Sequence, residues 1–396
     1  MILRERFIRL IRPFYGAFDL VKVIIGIRRA GKSVLLSQIA DELRQSGVDD
    51  SRVIIINFEF LEFSHLKTAK ELYEHVQGLM KDDGVYYLFL DEIQAVSQFE
   101  LAVNSLRAKG NVSIFITGSN AFLLSGELAT ALSGRYVKFC VTPFTFSETL
   151  LVTGQTDHKK AFADFMKWGG LPGRFAFSAE SEIQRYLTDV YDSIVLRDII
   201  QRFGIRDINL LDNIVRFLID NTGSVFSANT VSKYLKSQNR SISAEALYNY
   251  VDHIVGSMMF TKVHRYDIKG KSVFATLEKY YIADLGMLQL KRNSAGVNPG
   301  ASLEAIVANE LIARGYRIHI GVKKGAEIDF VAARSAEPEF IQVAYAIDSE
   351  TTLRREIDAF NGIPETKLLL TADEHDWSQK GVRWKNIIDW LLGNAD

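Results

Sequence analysis

Residues 26–33, "GIRRAGKS", combine two glycines, three cations and a hydroxyl within eight positions. Glycines let a backbone wrap closely around an anion, and the N–H groups of such a loop and of a following helix donate to phosphate oxygens. In this spacing Lys32 reaches the β- and γ-phosphates of a nucleotide, and the hydroxyl of Ser33 binds Mg²⁺. The residues predicted to bind nucleotide are Gly26, Arg28, Arg29, Ala30, Gly31, Lys32, Ser33 and Val34. For Arg28 and Arg29, contact with a neighbouring subunit and a solvated loop charge remain alternatives.

Two adjacent carboxylates, Asp91 and Glu92, follow a largely apolar run in "VYYLFLDEIQ", residues 85–94. Ligands of open α/β sheets bind at the carboxyl ends of the strands, and adjacent side chains on a strand diverge. We therefore predict that Asp91 holds Mg²⁺ and that Glu92 polarises an attacking water as a general base. The predicted cofactors are ATP and Mg²⁺. The alternatives are an exposed acidic turn here and a glycine-rich turn without ligand at residues 26–33.

Apolar runs alternate with helical stretches through the first third of the chain. The stretch "VLLSQIADEL", residues 34–43, is typical of the helix that follows a phosphate-binding loop. Strands that alternate with helices favour a mostly parallel sheet. The predicted strands are residues 21–25, 52–60, 85–90, 111–120 and about 136–141.

The composition of the 396 residues is that of a globular protein, with 47% hydrophobic and 24% charged residues. This length indicates two or three domains. The net charge of −1 means that any nucleic-acid surface must arise from local segregation of charge. The single cysteine, Cys140, excludes an internal disulfide and a multi-cysteine metal site. Without a secretory signal or an apolar run of about 20 residues, we expect a cytoplasmic protein that does not contact membranes.

The chain resembles the AAA+-type P-loop ATPases of bacteria and archaea that carry a C-terminal domain of unknown function. The resemblance rests on "GIRRAGKS", "LFLDEIQ", "ITGSN" with "LSGRY", and "KYYIADLGM" with "EIDF", which together span nearly the whole chain. It implies that Asn120, or its neighbour Ser119, senses the γ-phosphate, and that Arg135 is an arginine finger acting across a subunit boundary. It also implies that Asn57 restrains the catalytic glutamate. A salt bridge for Arg135 and a turn role for Asn57 remain alternatives.

Residues 208–290 are predicted to form a winged helix-turn-helix, with three amphipathic helices and a two-stranded wing around "DIKGK". The segment from Asp220 to Lys271 contains seven Lys and Arg residues and four Asp and Glu residues, which gives it a net charge of +3. The third helix contains no Lys or Arg, so the pattern leaves both DNA contact and protein contact open.

Residues 301–396 form a further α/β unit that resembles the PD-(D/E)xK nuclease superfamily. Glu304 and Asp329 match its carboxylates, and Glu327 lies on the same face as Asp329. Gln342 stands at a carboxylate position and Ala344 at the position of the lysine. The resemblance therefore implies that the fold is retained and the cleavage chemistry is lost.

These observations predict an α/β protein with a P-loop NTPase parallel sheet, a helical lid, a winged helix and a restriction-endonuclease-like C-terminal domain. The predicted function is an ATPase that couples Mg-ATP turnover to remodelling or recognition of DNA or a partner protein, with an ATP-dependent homo-oligomer as a possible assembly. A nucleotide-gated signalling scaffold that does not bind DNA and an ATP-regulated, metal-dependent nuclease are the alternatives. The predicted domains are residues 1–145, 146–207, 208–290 and 301–396.

Overall fold

The computed structural model describes residues 2–121, 132, 134–270, 272–273, 277–291, 298–323, 326–334, 337–379 and 381–393. The chain divides into two compact units, residues 1–141 and 142–396. The helices are α1 Glu5–Ile11, α2 Lys32–Gln45, α3 Ala69–Leu79, α4 Phe99–Arg107, α5 Phe146–Thr153, α6 His158–Trp168, α7 Glu180–Ser193, α8 Ile208–Asp220, α9 Ala228–Ser237, α10 Ala244–Gly256, α11 Leu288–Lys291, α12 Pro299–Ala313, α13 Glu350–Asp358 and α14 Ile387–Leu392. The strands are β1 Val21–Ile25, β2 Val53–Asn57, β3 Tyr86–Asp91, β4 Val112–Gly118, β5 Tyr136–Cys140, β6 Phe260–Val263, β7 Arg265–Asp267, β8 Ser272–Val273, β9 Lys279–Ile282, β10 Arg317–Lys323, β11 Ala326–Ala333, β12 Glu339–Ala344, β13 Lys367–Thr371 and β14 Val382–Asn386.

The first unit contains a five-stranded parallel sheet in the order β2-β3-β4-β1-β5. This confirms the predicted parallel α/β sheet. The central strands are hydrophobic on both faces because helices cover them, as parallel sheets require. Register brings the strand ends together, since Asn57 pairs with Asp91 and Ile25 pairs with Gly118. The residues that follow β1, β3 and β4 therefore meet at one edge.

The second unit contains a seven-stranded mixed sheet in the order β14-β13-β12-β11-β10-β7-β8. The strands predicted on either side of "DIKGK" are present as the antiparallel pair β7 and β8. Strand β7 also pairs in parallel with β10, from Arg265 opposite Ile320 to Asp267 opposite Val322. The hairpin thus extends the C-terminal sheet, so the segments 208–290 and 301–396 share hydrogen-bonded strands.

Helices α8, α9 and α10 precede a two-stranded antiparallel sheet of β6 and β9. Ser243 caps α10, where its side chain accepts a hydrogen bond of 3.2 Å from the N–H of Ala246. Ser227 lies at the N-cap of α9 but makes no capping side-chain hydrogen bond. Helix α7 continues into a π-helix, Ile194–Gln201. Within the described residues, no helix combines the length and the apolar character that crossing a bilayer requires.

Candidate nucleotide site

The loop between β1 and α2 needs its two glycines for different reasons. A Cβ on Gly26 would lie 2.2 Å from the carbonyl oxygen of Val141, so no larger residue fits there. Gly31 has φ +94°, a left-handed conformation that glycine adopts without strain, and it forms the N-cap of α2. The first N–H groups of α2 are therefore directed to the space above the loop, as a phosphate site requires.

Lys32 is buried at the centre of this loop, with 4% of its side chain exposed. Its Nζ donates to the carbonyl oxygens of Gly26, at 3.0 Å, and Ile27, at 3.3 Å. The same Nζ lies 3.7 Å from Oε1 of Glu92. The structure therefore brings the predicted phosphate ligand and the predicted general base to one place.

Asp91 ends β3 and is 3% exposed. Thr117 Oγ1 donates to its Oδ1, and Asn57 Nδ2 donates to its Oδ2 at 3.0 Å. Burial raises the pKa of Asp91, although hydrogen bonds from Ser33 and Thr117 oppose this effect. Asn57 thus contacts Asp91, and in this structure it is Gln94, not Asn57, that contacts the glutamate.

Ser33 and Asp91 supply oxygen donors of the type that Mg²⁺ prefers. The side chain of Ser33 lies close enough to the Asp91 carboxylate to lower its pKa, so both groups border the same space. Mg²⁺ in nucleotide sites takes one or two protein ligands and fills its octahedron with phosphates and water. The pair therefore fits the ion. Among the residues that the structure describes, no cluster of three or more His, Cys, Asp and Glu is arranged as a metal site.

Glu92 has φ +55°, a left-handed conformation that costs a non-glycine residue about 1–2 kcal/mol. Its N–H donates to Thr117 Oγ1 at 3.0 Å, and its carboxylate Oε2 accepts a hydrogen bond from Gln94 Nε2. Thr117 therefore holds both members of the Asp91–Glu92 pair. Sequence reasoning missed Thr117 and Gln94, although both lie inside the quoted motifs "ITGSN" and "LFLDEIQ".

Ser119 and Asn120 follow β4 at the same edge of the sheet and are buried, at 0% and 1% exposure. Strand β4 lies between β1 and β3, so these residues stand between the phosphate loop and the Asp91–Glu92 pair. This placement matches the position expected for a γ-phosphate sensor. The sensing role itself remains a prediction.

The remaining loop residues have distinct surroundings. Arg28 Nη1 lies 3.5 Å from Glu59 Oε1, while Arg29 is exposed with φ +66°. Ala30 is fully buried, and its carbonyl oxygen accepts a hydrogen bond of 2.9 Å from Nη1 of Arg4. Arg4 precedes α1 and is itself 1% exposed. Its support of the loop depends on a contact across 26 positions, which no local pattern indicates.

Arg135 is not brought to this site within the chain. Because β5 runs parallel to β1, with Val21 opposite Tyr136, Arg135 precedes the amino end of β5. The phosphate loop begins after Ile25 at the other edge, about 15 Å away along the strands. The Arg135 side chain is exposed. A catalytic role for Arg135 therefore requires the nucleotide of a second subunit.

A second polar cluster lies in the C-terminal unit around Lys279 at the start of β9. Its Nζ is 2.7 Å from Glu327 Oε1, 3.3 Å from Glu304 Oε2 and 4.0 Å from Asp329 Oδ1. Tyr281 donates to Glu304 at 3.1 Å. The sequence predicted that these carboxylates have no lysine beside them, because Ala344 stands at the lysine position. The structure shows that Lys279 is that neighbouring cation.

The charged groups of this carboxylate cluster shift one another's pKa. Burial raises the pKa of Asp329 and of Glu304, and the Lys279 ammonium opposes that rise. Burial would lower the pKa of Lys279, but the charges of the three carboxylates raise it above its ordinary value. Lys279 is thus a protonated internal counter-ion. Sequence reasoning missed Lys279 because it belongs to the segment 208–290, outside the predicted C-terminal domain. At the expected lysine position, Ala344 is buried in β12.

The first unit has a P-loop NTPase fold, with a parallel sheet, a glycine-flanked loop between β1 and α2 and an Asp–Glu pair at one edge. In agreement, residues 19–150 match a sequence family described as an AAA domain, and residues 159–295 match a domain of unknown function, DUF8612.

The chain belongs to the same family as an uncharacterized protein of Haemophilus influenzae, to which it is 36% identical over 401 residues, covering 99% of both chains. An uncharacterized protein of Methanocaldococcus jannaschii is 32% identical over 364 residues, covering 88% of this chain and 80% of that one.

Solved structures give weaker matches. Aeropyrum pernix ORC1 in complex with DNA has a TM-score of 0.32 at 11% identity, covering 79% of this chain and 94% of that chain. AMPPCP-bound DnaA from Aquifex aeolicus has a TM-score of 0.33 at 13% identity, covering 64% and 89%. Superposition over the whole chain is poor at these scores, and the ligands of those proteins say nothing about this one.

Proposed function

We propose that the chain binds and hydrolyses ATP at the edge formed by the phosphate loop and β3, and that turnover drives a change of shape or assembly that acts on a partner. The observation that carries this proposal is the 3.7 Å separation of Lys32 Nζ and Glu92 Oε1 in a buried site beside Asp91. A phosphate-binding cation, a metal-binding carboxylate and a second carboxylate are the groups that phosphoryl transfer to water needs.

In the proposed reaction Lys32 and the N–H groups of α2 bind the phosphates, and Ser33 and Asp91 would hold Mg²⁺. The ion would neutralise negative charge on the phosphates. Glu92 accepts a proton from a water whose oxygen attacks the γ-phosphorus. The bond from that phosphorus to the bridging oxygen of ADP breaks, and the products are ADP and inorganic phosphate.

We propose that Arg135 completes the site of a neighbouring subunit. Its position at the edge opposite the phosphate loop excludes a role in its own site. Hydrolysis per subunit should therefore rise with protein concentration as ATP drives homo-oligomer formation.

The subunit-mixing test for Arg135 uses two inactive variants. In an equal mixture of Lys32→Ala and Arg135→Ala subunits, about a quarter of interfaces pair an intact loop with an intact arginine. We expect the mixture to recover about that share of wild-type activity, measured as phosphate release. Activity no greater than that of the separate variants, or a strict monomer in ATP at concentrations well above micromolar, would contradict the role in trans.

We propose that α8–α10 with β6 and β9 form a winged helix and that its partner is a protein. The exposed residues of α10 include Glu245, Asn249 and Asp252, and Asp252 lies 3.9 Å from Lys262, so α10 itself offers no cation to DNA phosphates. Two of the counted cations are engaged, since Arg240 pairs with Asp207 at 3.0 Å and Lys262 pairs with Glu278 at 3.5 Å. Lys271 lies outside the described residues.

The pairing of β7 with β10 supports the same choice. The wing predicted around "DIKGK" is the β7–β8 hairpin, and β7 is hydrogen-bonded to β10 of the C-terminal sheet, so its backbone on that side is not available to DNA phosphates. The alternative function is the nucleotide-gated signalling scaffold. It would apply if the chain hydrolyses ATP slowly in the absence of its partner. The nuclease alternative is not favoured, because Gln342 stands at a carboxylate position and Lys279 pairs with Glu304 and Glu327, which would otherwise be available to a metal ion.

One experiment separates these functions. The hydrolysis rate is measured with and without single- and double-stranded DNA over a salt series, and the DNA is then examined for cleavage. We expect less than about twofold stimulation even at low salt, where phosphate contacts are strongest, and intact DNA in Mg²⁺ or Mn²⁺. Strong, salt-sensitive stimulation would make DNA the partner. Cleavage that disappears in Asp329→Ala would favour the nuclease.

A further inference from the structure

Gln94 is the side chain that anchors the carboxylate of Glu92. Its Nε2 donates to Glu92 Oε2, while the other oxygen, Oε1, lies 3.7 Å from Lys32 Nζ. The two oxygens thus have separate surroundings. One is held by an amide two residues further along the chain, and the other is directed to the phosphate-binding lysine.

The amide of Gln94 can face Glu92 in only one way. A carboxylate accepts hydrogen bonds and cannot donate, so the NH₂ group must point to Glu92. The carbonyl oxygen of Gln94 is consequently turned away. That oxygen is buried and has no hydrogen-bond partner among the described residues. An apolar side chain would fill this space without leaving a buried acceptor unsatisfied, so packing does not explain the choice of glutamine.

Two unfavourable features therefore lie two residues apart: the left-handed backbone of Glu92 and the unsatisfied carbonyl of its amide partner Gln94. Such features persist where the surrounding structure fixes a group for its chemistry. The sequence "DEIQ" supplies both within four residues, because the short turn Ile93–Ala95 returns Gln94 to the carboxylate.

We propose that Gln94 is a positioning residue that anchors Oε2 of Glu92 and thereby directs Oε1 to the water that attacks the γ-phosphate. This inference rests on the proposed hydrolysis at Glu92 and adds a residue to it. Without the amide, the 3.7 Å contact of Oε1 with Lys32 is left to restrain the carboxylate, which then spends only part of its time facing the water. Gln94 acts through Glu92 alone, so its loss affects the chemical step and leaves nucleotide affinity unchanged.

The kinetic test compares Gln94→Ala with Gln94→His and with the exposed control Gln45→Ala. We expect Gln94→Ala to lower kcat by about 10–100-fold with KM within about twofold of wild type, since small misplacements of a catalytic group have effects of this size. The imidazole of Gln94→His keeps an N–H donor at similar reach and should recover most of the loss. Gln45→Ala should match wild type. Unchanged kcat in Gln94→Ala, or equal loss in the alanine and histidine variants, would overturn the proposal.

A structural readout tests the same inference without hydrolysis. Crystal structures of wild type and Gln94→Ala show directly where Oε1 of Glu92 lies relative to Nζ of Lys32. We expect the carboxylate to leave its position or become disordered in the variant only. An unchanged carboxylate would overturn the role of Gln94. A wild-type chain that does not hydrolyse ATP would instead overturn the proposed function, and the crystal structures would still decide on Gln94.

Discussion

Lys32→Ala is expected to abolish ATP binding at concentrations that saturate the wild-type chain. The ammonium of Lys32 is buried between the loop carbonyl oxygens and Glu92. Alanine would leave the Glu92 carboxylate uncompensated next to an incoming triphosphate. In the bound state Lys32 would pair with the phosphates, and truncating one partner of a buried charge pair across an interface costs about 2–5 kcal/mol of binding free energy, a loss of affinity of about 30-fold or more.

The measurement is a titration with ATP by calorimetry, in parallel with Lys70→Ala. Lys70 is 82% exposed and lies on α3 away from the site, so its removal takes away the same charge without touching the loop. Thermal unfolding without nucleotide checks that both variants are folded. If Lys32→Ala bound ATP as tightly as Lys70→Ala, the assignment of the phosphate loop would be wrong.

Glu92→Gln is expected to retain ATP binding and to lower kcat by about 10²–10⁴-fold. Glutamine keeps the size of the side chain, and its carbonyl can still accept the hydrogen bond from Gln94. It removes the basic oxygen that takes a proton from water, and general-base catalysis is worth about this factor. The measurement is single-turnover hydrolysis together with the ATP dissociation constant. Equal turnover in wild type and Glu92→Gln would place the base elsewhere.

The sequence predicted the parts of the site that depend on local spacing. "GIRRAGKS" places a phosphate loop between a strand and a helix, and both elements are present as β1 and α2. "LFLDEIQ" places Asp91 at a strand end, and the order of the parallel strands then brings that end to the loop. The predicted positions of these strands and of the helix are confirmed because hydrophobic runs and glycines encode structure over a few residues, while the roles of the site residues stay predictions.

The remaining features depend on contacts between distant segments. Thr117 contacts Asp91 across 26 positions, and Lys279 reaches Glu304 across 25 positions. The pairing of β7 with β10 joins segments that the sequence assigned to separate domains. Neither composition nor periodicity indicates such partners, because the neighbouring sequence of each polar side chain does not distinguish it from an exposed surface residue.

The central claim, that this chain hydrolyses ATP at the Lys32–Glu92 site, is tested most directly by phosphate release from Mg-ATP. Wild type, Lys32→Ala and Glu92→Gln are purified in parallel, so that any contaminating ATPase contributes equally to all three. We predict a saturable rate in the wild-type chain and a rate at the background level in both variants, with ATP bound by Glu92→Gln but not by Lys32→Ala. Equal phosphate release by all three proteins would contradict the claim.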